Sequence, residues 1–120
     1  MGALVVTVTI GAAATSSVRR YENLKVLPRN ISSKDLQGIM TDDFEDGLGV
    51  TRGFCHAPAM DGHGLDFASD AKPEKEMARA MMRTVLGINK KYFKVRRPLI
   101  GAPSLIVTCN TCHRGKAFPD

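Results

Sequence analysis

A cysteine pair near the carboxyl end of the chain carries the clearest chemical signal. Cys109, Cys112 and His113 form a C-x-x-C-H pattern. Residues three apart lie on the same face of a helical turn, so both thiols can reach the two vinyl groups along one edge of a haem and form thioethers. The histidine that follows then places its imidazole beneath the iron. This pattern is a signal for covalent haem attachment, and it predicts a haem site here.

Two other chemistries use a C-x-x-C pair. A redox dithiol normally begins a helix in a strand–helix–strand setting, and the sequence predicts no such setting around Cys109. A zinc site could take both cysteines together with Cys55 and His113, because three thiolates and one imidazole are a common tetrahedral ligand set. A zinc-stabilised binding module is therefore kept as an alternative.

A crude internal repeat places a second cysteine–histidine pair in the first half of the chain. Each copy has a methionine-bearing helix, a loop, and a Val-Thr pair that leads into Cys-His. The first copy contains Met40, Val50-Thr51 and Cys55-His56, and the second contains Met81, Val107-Thr108 and Cys112-His113. Two copies in so short a chain indicate two cofactor-binding units of one kind.

Methionine supplies a further candidate ligand in each unit. A haem iron held by histidine commonly takes a methionine sulfur on its other side, and this ligand raises the reduction potential. The chain has six methionines, and a single methionine on a helix is more often core filler. Because Met40 and Met81 each precede a Cys-His pair, they are the candidate axial ligands.

Two helices must position these residues. Ser32 and Asp35 fit a capping box that begins the first helix. Apolar residues then recur at helical spacing over 36–44, and Gly47 and Gly49 end this helix. Residues 51–70 predict a short helical turn followed by a loop.

The second helix begins at Pro73, a residue favoured at the first helical position, with Glu74 and Glu76 in the first turn. Its apolar residues form two neighbouring stripes, so we expect a broad face to be covered. The stripes contain Met77, Met81, Val85, Ile88 and Tyr92, and Met82, Leu86 and Phe93. Residues 105–108 then predict an extended segment that leads directly to Cys109.

Composition favours one small domain with few aromatic side chains. The 120 residues suit one domain, yet they include five Phe, two Tyr and no Trp, so a buried macrocycle would supplement a thin core. The formal net charge of +5 fits a solvated basic surface, haem propionates or an acidic partner. Nucleic acid is not an expected partner, because no strip of aromatic and basic residues and no binding motif appears.

The first 20 residues form a separate apolar segment. The run Leu4–Ile10 is followed by Ala12–Ala14, as in the later part of a secretory signal, although no Lys or Arg precedes it. β-branched residues in the same run favour a strand. Residues 1–20 are therefore predicted to be either a signal or anchor remnant or a strand, and residues 21–120 a haem-binding domain.

Four segments resemble the cytochrome subunit of bacterial photosynthetic reaction centres, and still more its short two-haem relatives. They read NLKVLPRNIS, LGVTRGFCHAPA, DFASDAKPEKEMARAMMRTVLGINKKYF and VTCNTCHRG. The last two are specific, since the family combines an A-R-x-M helix that ends in I-N with V-T-C-x-x-C-H-R-G. The resemblance covers Asn23 to about Phe118.

The resemblance implies how the haem at the C-x-x-C-H pattern is held. In the family, a methionine on a preceding helix ligates the far side of the iron. Here Met81, or alternatively Met82, and His113 would ligate one haem, which is bound through thioethers to Cys109 and Cys112.

The resemblance assigns a second haem to Met40 and His56, but the sequence departs from the family pattern at this place. Arg52 stands where the family has a cysteine, so only one thioether can form, at Cys55. We expect a haem held by this single thioether. The competing hypothesis is a single-haem cytochrome whose first site is degenerate and leaves a free thiol.

The resemblance implies a mainly α-helical fold with long loops, built from two helix–loop–C-x-x-C-H-type haem units. It implies an electron carrier with two haem c groups, not an enzyme; a peroxidase would need an open position on the iron. Expected partners are redox proteins, with a homo-oligomer or stacked assembly as an option and membrane association through residues 1–20. Because haem is attached covalently outside the bacterial inner membrane, a periplasmic or extracellular location is expected.

Overall fold

The computed structural model describes Gly2 and residues 21–120. The N-terminal segment predicted over residues 1–20 lies, apart from Gly2, outside the described residues. Within the described part, the protein is small and consists of helices joined by long loops, as the sequence predicts. None of the helices in this part is long and apolar enough to cross a membrane.

The first helix, α1, covers Ser33–Gly38 and begins where the capping pattern places it. The Ser32 hydroxyl accepts a hydrogen bond from the backbone N–H of Asp35 at 3.0 Å, which satisfies one of the unpaired donors of the first turn. The chain then continues as a π-helix over Ile39–Asp46 and is capped by Gly47. The predicted regular helix is thus replaced in its second half by a wider turn with i to i+5 bonds.

A 3₁₀ turn over Arg52–Phe54 follows, where the sequence predicts a short helical turn. It leads into a two-stranded antiparallel hairpin, where the sequence predicts a loop. The strands are β1, Ala57–Pro58, and β2, Leu65–Asp66. Each strand has only two residues, which is too short for a side-chain alternation to be read from the sequence.

The longest element, α2, covers Pro73–Lys91, with Pro73 at its amino end as predicted. Its buried residues are Arg79, Met82, Val85 and Asn89, which recur three or four apart and form one face. Met77 and Met81, from the first predicted stripe, lie beside this face and are more exposed, whereas Val85 of the same stripe is buried. The core against which α2 packs is small. Its buried apolar members are Leu27, Ile39, Met82, Val85, Ile100 and Leu105.

The last helix, α3, covers Cys109–His113. Thr108 and Thr111 form a capping box at its start, in which the Thr108 N–H donates to the Thr111 hydroxyl at 2.9 Å. The chain leaves the helix through Arg114 in the left-handed conformation. The C-x-x-C-H pattern therefore forms a short helix of its own, with its first and last residues at the helix ends.

A close backbone contact joins the end of the first helical segment to the residues just past α3. The N–H of Gly115 donates to the carbonyl of Gly47 at 2.9 Å. At Gly49, whose φ is +65°, an added Cβ would lie 2.2 Å from the carbonyl oxygen of Gly115. Only glycine permits this approach, so Gly49, which the sequence predicts as a helix end, also positions the two halves of the chain.

Candidate functional site

The predicted ligands line two cavities of similar size. The first cavity, about 440 Å³, is lined by Met40, Cys55 and His56 among other residues. The second cavity, about 460 Å³, is lined by the remaining predicted ligands, which are Met81, Cys109, Cys112 and His113. Both volumes lie within the roughly 300–1,000 Å³ that is usual for cofactor pockets. The histidines and the candidate methionines Met40 and Met81 thus fall into the two groups that the internal repeat predicts, whereas Cys55 lines both cavities.

Helix α2 is the wall that the two cavities share. Lys75 and Arg79 line only the first cavity, whereas Met77 and Met81 line only the second. Successive residues of a helix are turned by about 100°, so one helix presents a different face to each cavity. Met82 lies between these faces and lines both. Cys55, at the end of the 3₁₀ turn, also lines both.

Met81 and Met82 are the two alternative predictions for the methionine ligand in the second cavity. One of them is a core residue. Met82 is 7% exposed and belongs to the apolar core, whereas Met81 is 41% exposed and faces the second cavity alone. Met77, one turn earlier, lines the same cavity and is 64% exposed. This environment favours Met81 over Met82 as the residue available to a group in the second cavity.

The imidazole of His113 is held in the form that binds a metal. Its Nδ1 lies 2.9 Å from the carbonyl oxygen of Lys116. A carbonyl oxygen only accepts hydrogen bonds, so Nδ1 carries the proton and Nε2 keeps its lone pair. A metal-binding histidine commonly has such a partner on its other nitrogen. His113 therefore fits the role of an iron ligand.

Cys109 is a poor candidate for a redox thiol. Burial, with a smaller contribution from the nearby Asp43, raises its pKa to about 11. A reactive dithiol needs a thiolate of low pKa, so the surroundings of Cys109 do not fit that alternative. Cys112 is exposed at the other end of the same helical turn and lines the same cavity.

The ligand set of the zinc alternative is not assembled. Among residues 21–120, no group of three or more His, Cys, Asp or Glu side chains is placed to share one metal ion. Cys55 lies by its 3₁₀ turn, and Cys109, Cys112 and His113 lie on α3. The arrangement of these four residues therefore favours haem over zinc.

His56 in the first cavity is held less firmly than His113. Its Nδ1 is buried and has no hydrogen-bond partner among the residues that the structure describes. The Phe67 ring contacts the imidazole edge-on, with the ring centres 5.0 Å apart. Burial, and then the positive charges of Lys75, Arg52 and Arg79, lower the pKa of His56. The imidazole is therefore neutral near pH 7, which is the form that ligates a metal.

Arg52 occupies the place of the family's first cysteine and lines the first cavity. Its Nε donates to the Oε1 of Glu45 at 2.7 Å. This ion pair joins the 3₁₀ turn to the π-helical segment that carries Met40. Burial is also the main cause of the raised pKa of the Cys55 thiol three residues later.

The two cavities differ in charge. Four cationic side chains line the first cavity, namely Lys25, Arg52, Lys75 and Arg79. No Lys or Arg of the described residues lines the second cavity. Its carboxylate, Glu74, has a buried oxygen without a hydrogen-bond partner among these residues. Haem propionates would meet a net positive lining in the first cavity but not in the second, although each of the four cations already pairs with a carboxylate of Glu45, Asp70 or Glu76.

One fully buried polar residue has no role in the sequence analysis. Asn89 lies in the last turn of α2 and is 0% exposed. Asn89 is the second residue of the I-N pair that ends the helix resembling the family. That pair could have indicated its role, but asparagine near the end of a helix is also an ordinary surface residue.

A helical turn with two thiols and a correctly oriented imidazole, facing an apolar cavity, defines the class of c-type cytochromes. The family model of the photosynthetic reaction centre cytochrome C subunit matches residues 4–120, and the chain belongs to this family. No curated protein and no solved structure matches the chain. Cytochromes of this family are electron carriers, not enzymes, and membership implies haem c. Reaction-centre cytochromes are generally periplasmic and membrane-associated.

Proposed function

We propose that this chain transfers electrons through two c-type haems, one in each cavity. The observation that carries the proposal is the division of the predicted ligands between two cavities of similar volume. Each cavity has a histidine, a methionine and at least one cysteine in its lining. Bound haem supplies a one-electron couple at iron, whose potential depends on the axial ligands, burial and nearby charge.

In the second cavity, Cys109 and Cys112 would hold the haem through two thioethers, and His113 and Met81 would be its axial ligands. The protonated Nδ1 of His113 supports this assignment, since it leaves Nε2 to the iron. The apolar lining of the cavity would replace part of the water around the group and so favour the state of lower charge. Axial methionine acts in the same direction, by raising the potential.

In the first cavity, Cys55 would form the single thioether, and His56 and Met40 would be the axial ligands. The net positive lining supports a bound haem, because Lys and Arg stabilise propionates, and these cations would share their present carboxylate partners with the propionates. Arg52 is engaged by Glu45. Position 52 therefore offers no thiol for a second thioether, and its side chain already has a carboxylate partner. The competing hypothesis is an empty first cavity with a free thiol at Cys55.

The mass of the denatured holoprotein tests the proposal, because only covalently attached haem survives denaturation. We expect the natively produced chain to gain two haem masses and the Cys55→Ala variant to gain one. A Cys109→Ala/Cys112→Ala variant is the matched control and should also gain one, at Cys55. A wild-type gain of a single haem would refute attachment at Cys55, and no gain would refute the cytochrome function.

We also propose that this chain exchanges electrons with an acidic redox protein. The run 90–97 has five cations and no acidic residue, so its charge equals the net +5 of the whole chain. These residues are exposed, and none forms an ion pair with any other described residue. They are Lys90, Lys91, Lys94, Arg96 and Arg97. Such a surface accelerates association with a negatively charged partner.

Small redox reagents test this surface without a known partner. A Lys90→Glu/Lys94→Glu variant should be oxidised more slowly by ferricyanide, an anionic oxidant, and the effect should shrink with added salt. A Lys34→Glu/Arg29→Glu variant carries the same change in net charge elsewhere. Equal slowing in both variants would refute a localised docking surface.

A periplasmic or extracellular location, association with the membrane and assembly of several copies remain predictions.

A further inference from the structure

Asn89 is the described residue with the largest fully buried side chain. It lies near the carboxyl end of α2, Pro73–Lys91, four residues after Val85. A side-chain amide has two N–H donors and an oxygen with two lone pairs. Burial without partners would cost roughly 1–3 kcal/mol for each unsatisfied group. A buried asparagine is therefore retained only where its surroundings complete all four bonds.

All four bonds are present, and three of them reach the segment just before the haem-attachment turn. The Nδ2 of Asn89 donates to the Val107 carbonyl at 2.7 Å, and its Oδ1 accepts from the N–H groups of Ile106 at 2.8 Å and Val107 at 3.1 Å. The fourth bond runs from Nδ2 to the Val85 carbonyl of its own helix at 2.9 Å. The amide thus ties α2 to residues 106–107.

These bonds fix the register of the segment as well as its distance from the helix. Oδ1 faces two N–H groups and Nδ2 faces two carbonyls, so neither a flipped amide nor a chain shifted by one residue would keep the bonds. An apolar anchor such as the neighbouring Leu105, which is buried in the core, holds the segment against α2 but does not select its register. Val107 lies only two residues before Cys109.

We infer that Asn89 is a positioning residue that holds the haem-attachment turn in register with the methionine face of α2. The two walls of the second cavity are α2, with Met81, and α3, with His113. Asn89 is bonded to both the helix and the segment that enters α3, so it sets the separation of the two proposed axial ligands. This inference rests on the proposed haem in the second cavity.

The effect is specific to one haem. The bonds of Asn89 reach only α2 and residues 106–107. The side chains proposed to ligate in the first cavity, Met40 and His56, lie on other elements. Loss of the amide should therefore disturb the haem attached through Cys109 and Cys112 and leave the other unchanged.

The experiment compares the wild-type holoprotein with its Asn89→Leu variant, which keeps the side-chain size but removes the four bonds. Amide hydrogen exchange at Ile106 and Val107 should become at least about tenfold faster, since each loses its acceptor. The haem attached at Cys109 and Cys112 should show a lower reduction potential and new binding of carbon monoxide, as methionine ligation weakens. Asn30→Ala, an exposed asparagine that lines neither cavity, is the control and should change neither.

Faster exchange at Ile106 and Val107 with an unchanged potential and no carbon monoxide binding would overturn the inference and leave Asn89 a stability residue. Equal disturbance of both haems would do the same. If the leucine variant does not fold, Asn89→Ser, which keeps one hydroxyl donor, should show smaller shifts of the same sign, and their absence would overturn the inference. Failure of the underlying proposal is recognised separately, because the wild-type protein would then carry no covalent haem at Cys109 and Cys112.

Discussion

The two cavities differ in chemistry although one helix lines both. The second cavity has two thiols on one helical turn, an imidazole oriented by the Lys116 carbonyl, and no cationic lining. The first has one thiol, an imidazole whose Nδ1 lacks a partner among the described residues, and four cations. In the proposed function, covalent attachment and a fixed imidazole would hold the group of the second cavity. Charge and packing would contribute more in the first.

The two candidate sites also differ at one position of the cysteine pattern. Arg52 stands where the resemblance places a cysteine, and it bonds to Glu45 on the preceding helical segment. The 3₁₀ turn, the half-buried Cys55 and His56 lie beside it. A haem in the first cavity, as proposed, would therefore be held by one thioether among an otherwise similar set of proposed ligands.

Removal of haem should have the largest effect. Only six apolar side chains of the described residues form the buried core, and two cavities of about 440 and 460 Å³ lie beside it. Protein produced without haem attachment should therefore lose its cooperative thermal unfolding, which circular dichroism would measure against the holoprotein. Cooperative unfolding of the haem-free chain near the holoprotein's melting temperature would contradict this view of the core.

Truncation of the two neighbouring methionines should separate stability from ligation. Met82→Ala should lower the free energy of unfolding by about 2–5 kcal/mol, because Met82 is buried in the core and a cavity remains. Met81→Ala should cost less than about 1 kcal/mol. It should nevertheless lower the potential of the second haem by on the order of 0.1 V, because the axial ligand is lost.

Each methionine variant is the control for the other, and both quantities are measured on the holoprotein by urea unfolding and by a spectroscopic redox titration. If Met82→Ala lowers the potential and Met81→Ala does not, the assignment of the ligand is wrong. Met82, which lines both cavities, would then be the methionine ligand of the second haem.

Restoring a cysteine at position 52 should make the first site more like the second. In the Arg52→Cys variant, a second vinyl group would be saturated, so the absorption band of the first haem in denaturing pyridine should move to shorter wavelength. The haem count by mass should stay the same. Arg52→Ala, which removes the same ion pair with Glu45 but adds no thiol, should leave the band in place. An unmoved band in both variants would show that position 52 does not face the haem edge.

The cationic lining of the first cavity should have the smallest effect. Lys25→Gln should lower the potential of the first haem by on the order of 10 mV, since a nearby positive charge favours the reduced iron and solvent screens it. Lys25 is 47% exposed and paired with Asp70 at 2.9 Å, so salt should reduce the shift further. Lys34→Gln, an exposed lysine that lines neither cavity, is the control. An equal shift in the reduction potential of the second haem would contradict the proposed electrostatic difference between the two sites.

Local features of the fold could be predicted because their causes are local. Ser32 caps α1, Pro73 begins α2, and Thr108 leads directly into the turn Cys109–His113. In each case a few adjacent residues satisfy the first backbone groups of a helix. The π-helical stretch Ile39–Asp46 and the short hairpin were not predicted, because apolar spacing does not separate an i+4 from an i+5 turn and two-residue strands carry no pattern.

The sequence nominates the candidate ligands, and the structure adds how they are arranged. The repeat pairs Met40 with Cys55-His56 and Met81 with Cys112-His113, and the two cavities contain these groups. The spacing could not show that Met82 is a core residue while Met81 faces a cavity. Nor could it show that Cys55 lies in the wall between both cavities.

The order of residues along the chain is enough to show which thiols and imidazoles occur together, and that Arg52 stands where the resemblance places a thiol. These features depend on spacing within a single turn, which the covalent geometry of the chain dictates. Only packing shows which face of α2 meets which cavity, and that Asn89 joins α2 to residues 106–107. Such contacts join residues 17 or 18 apart in the chain, and they arise when separate elements pack and bury their polar groups together.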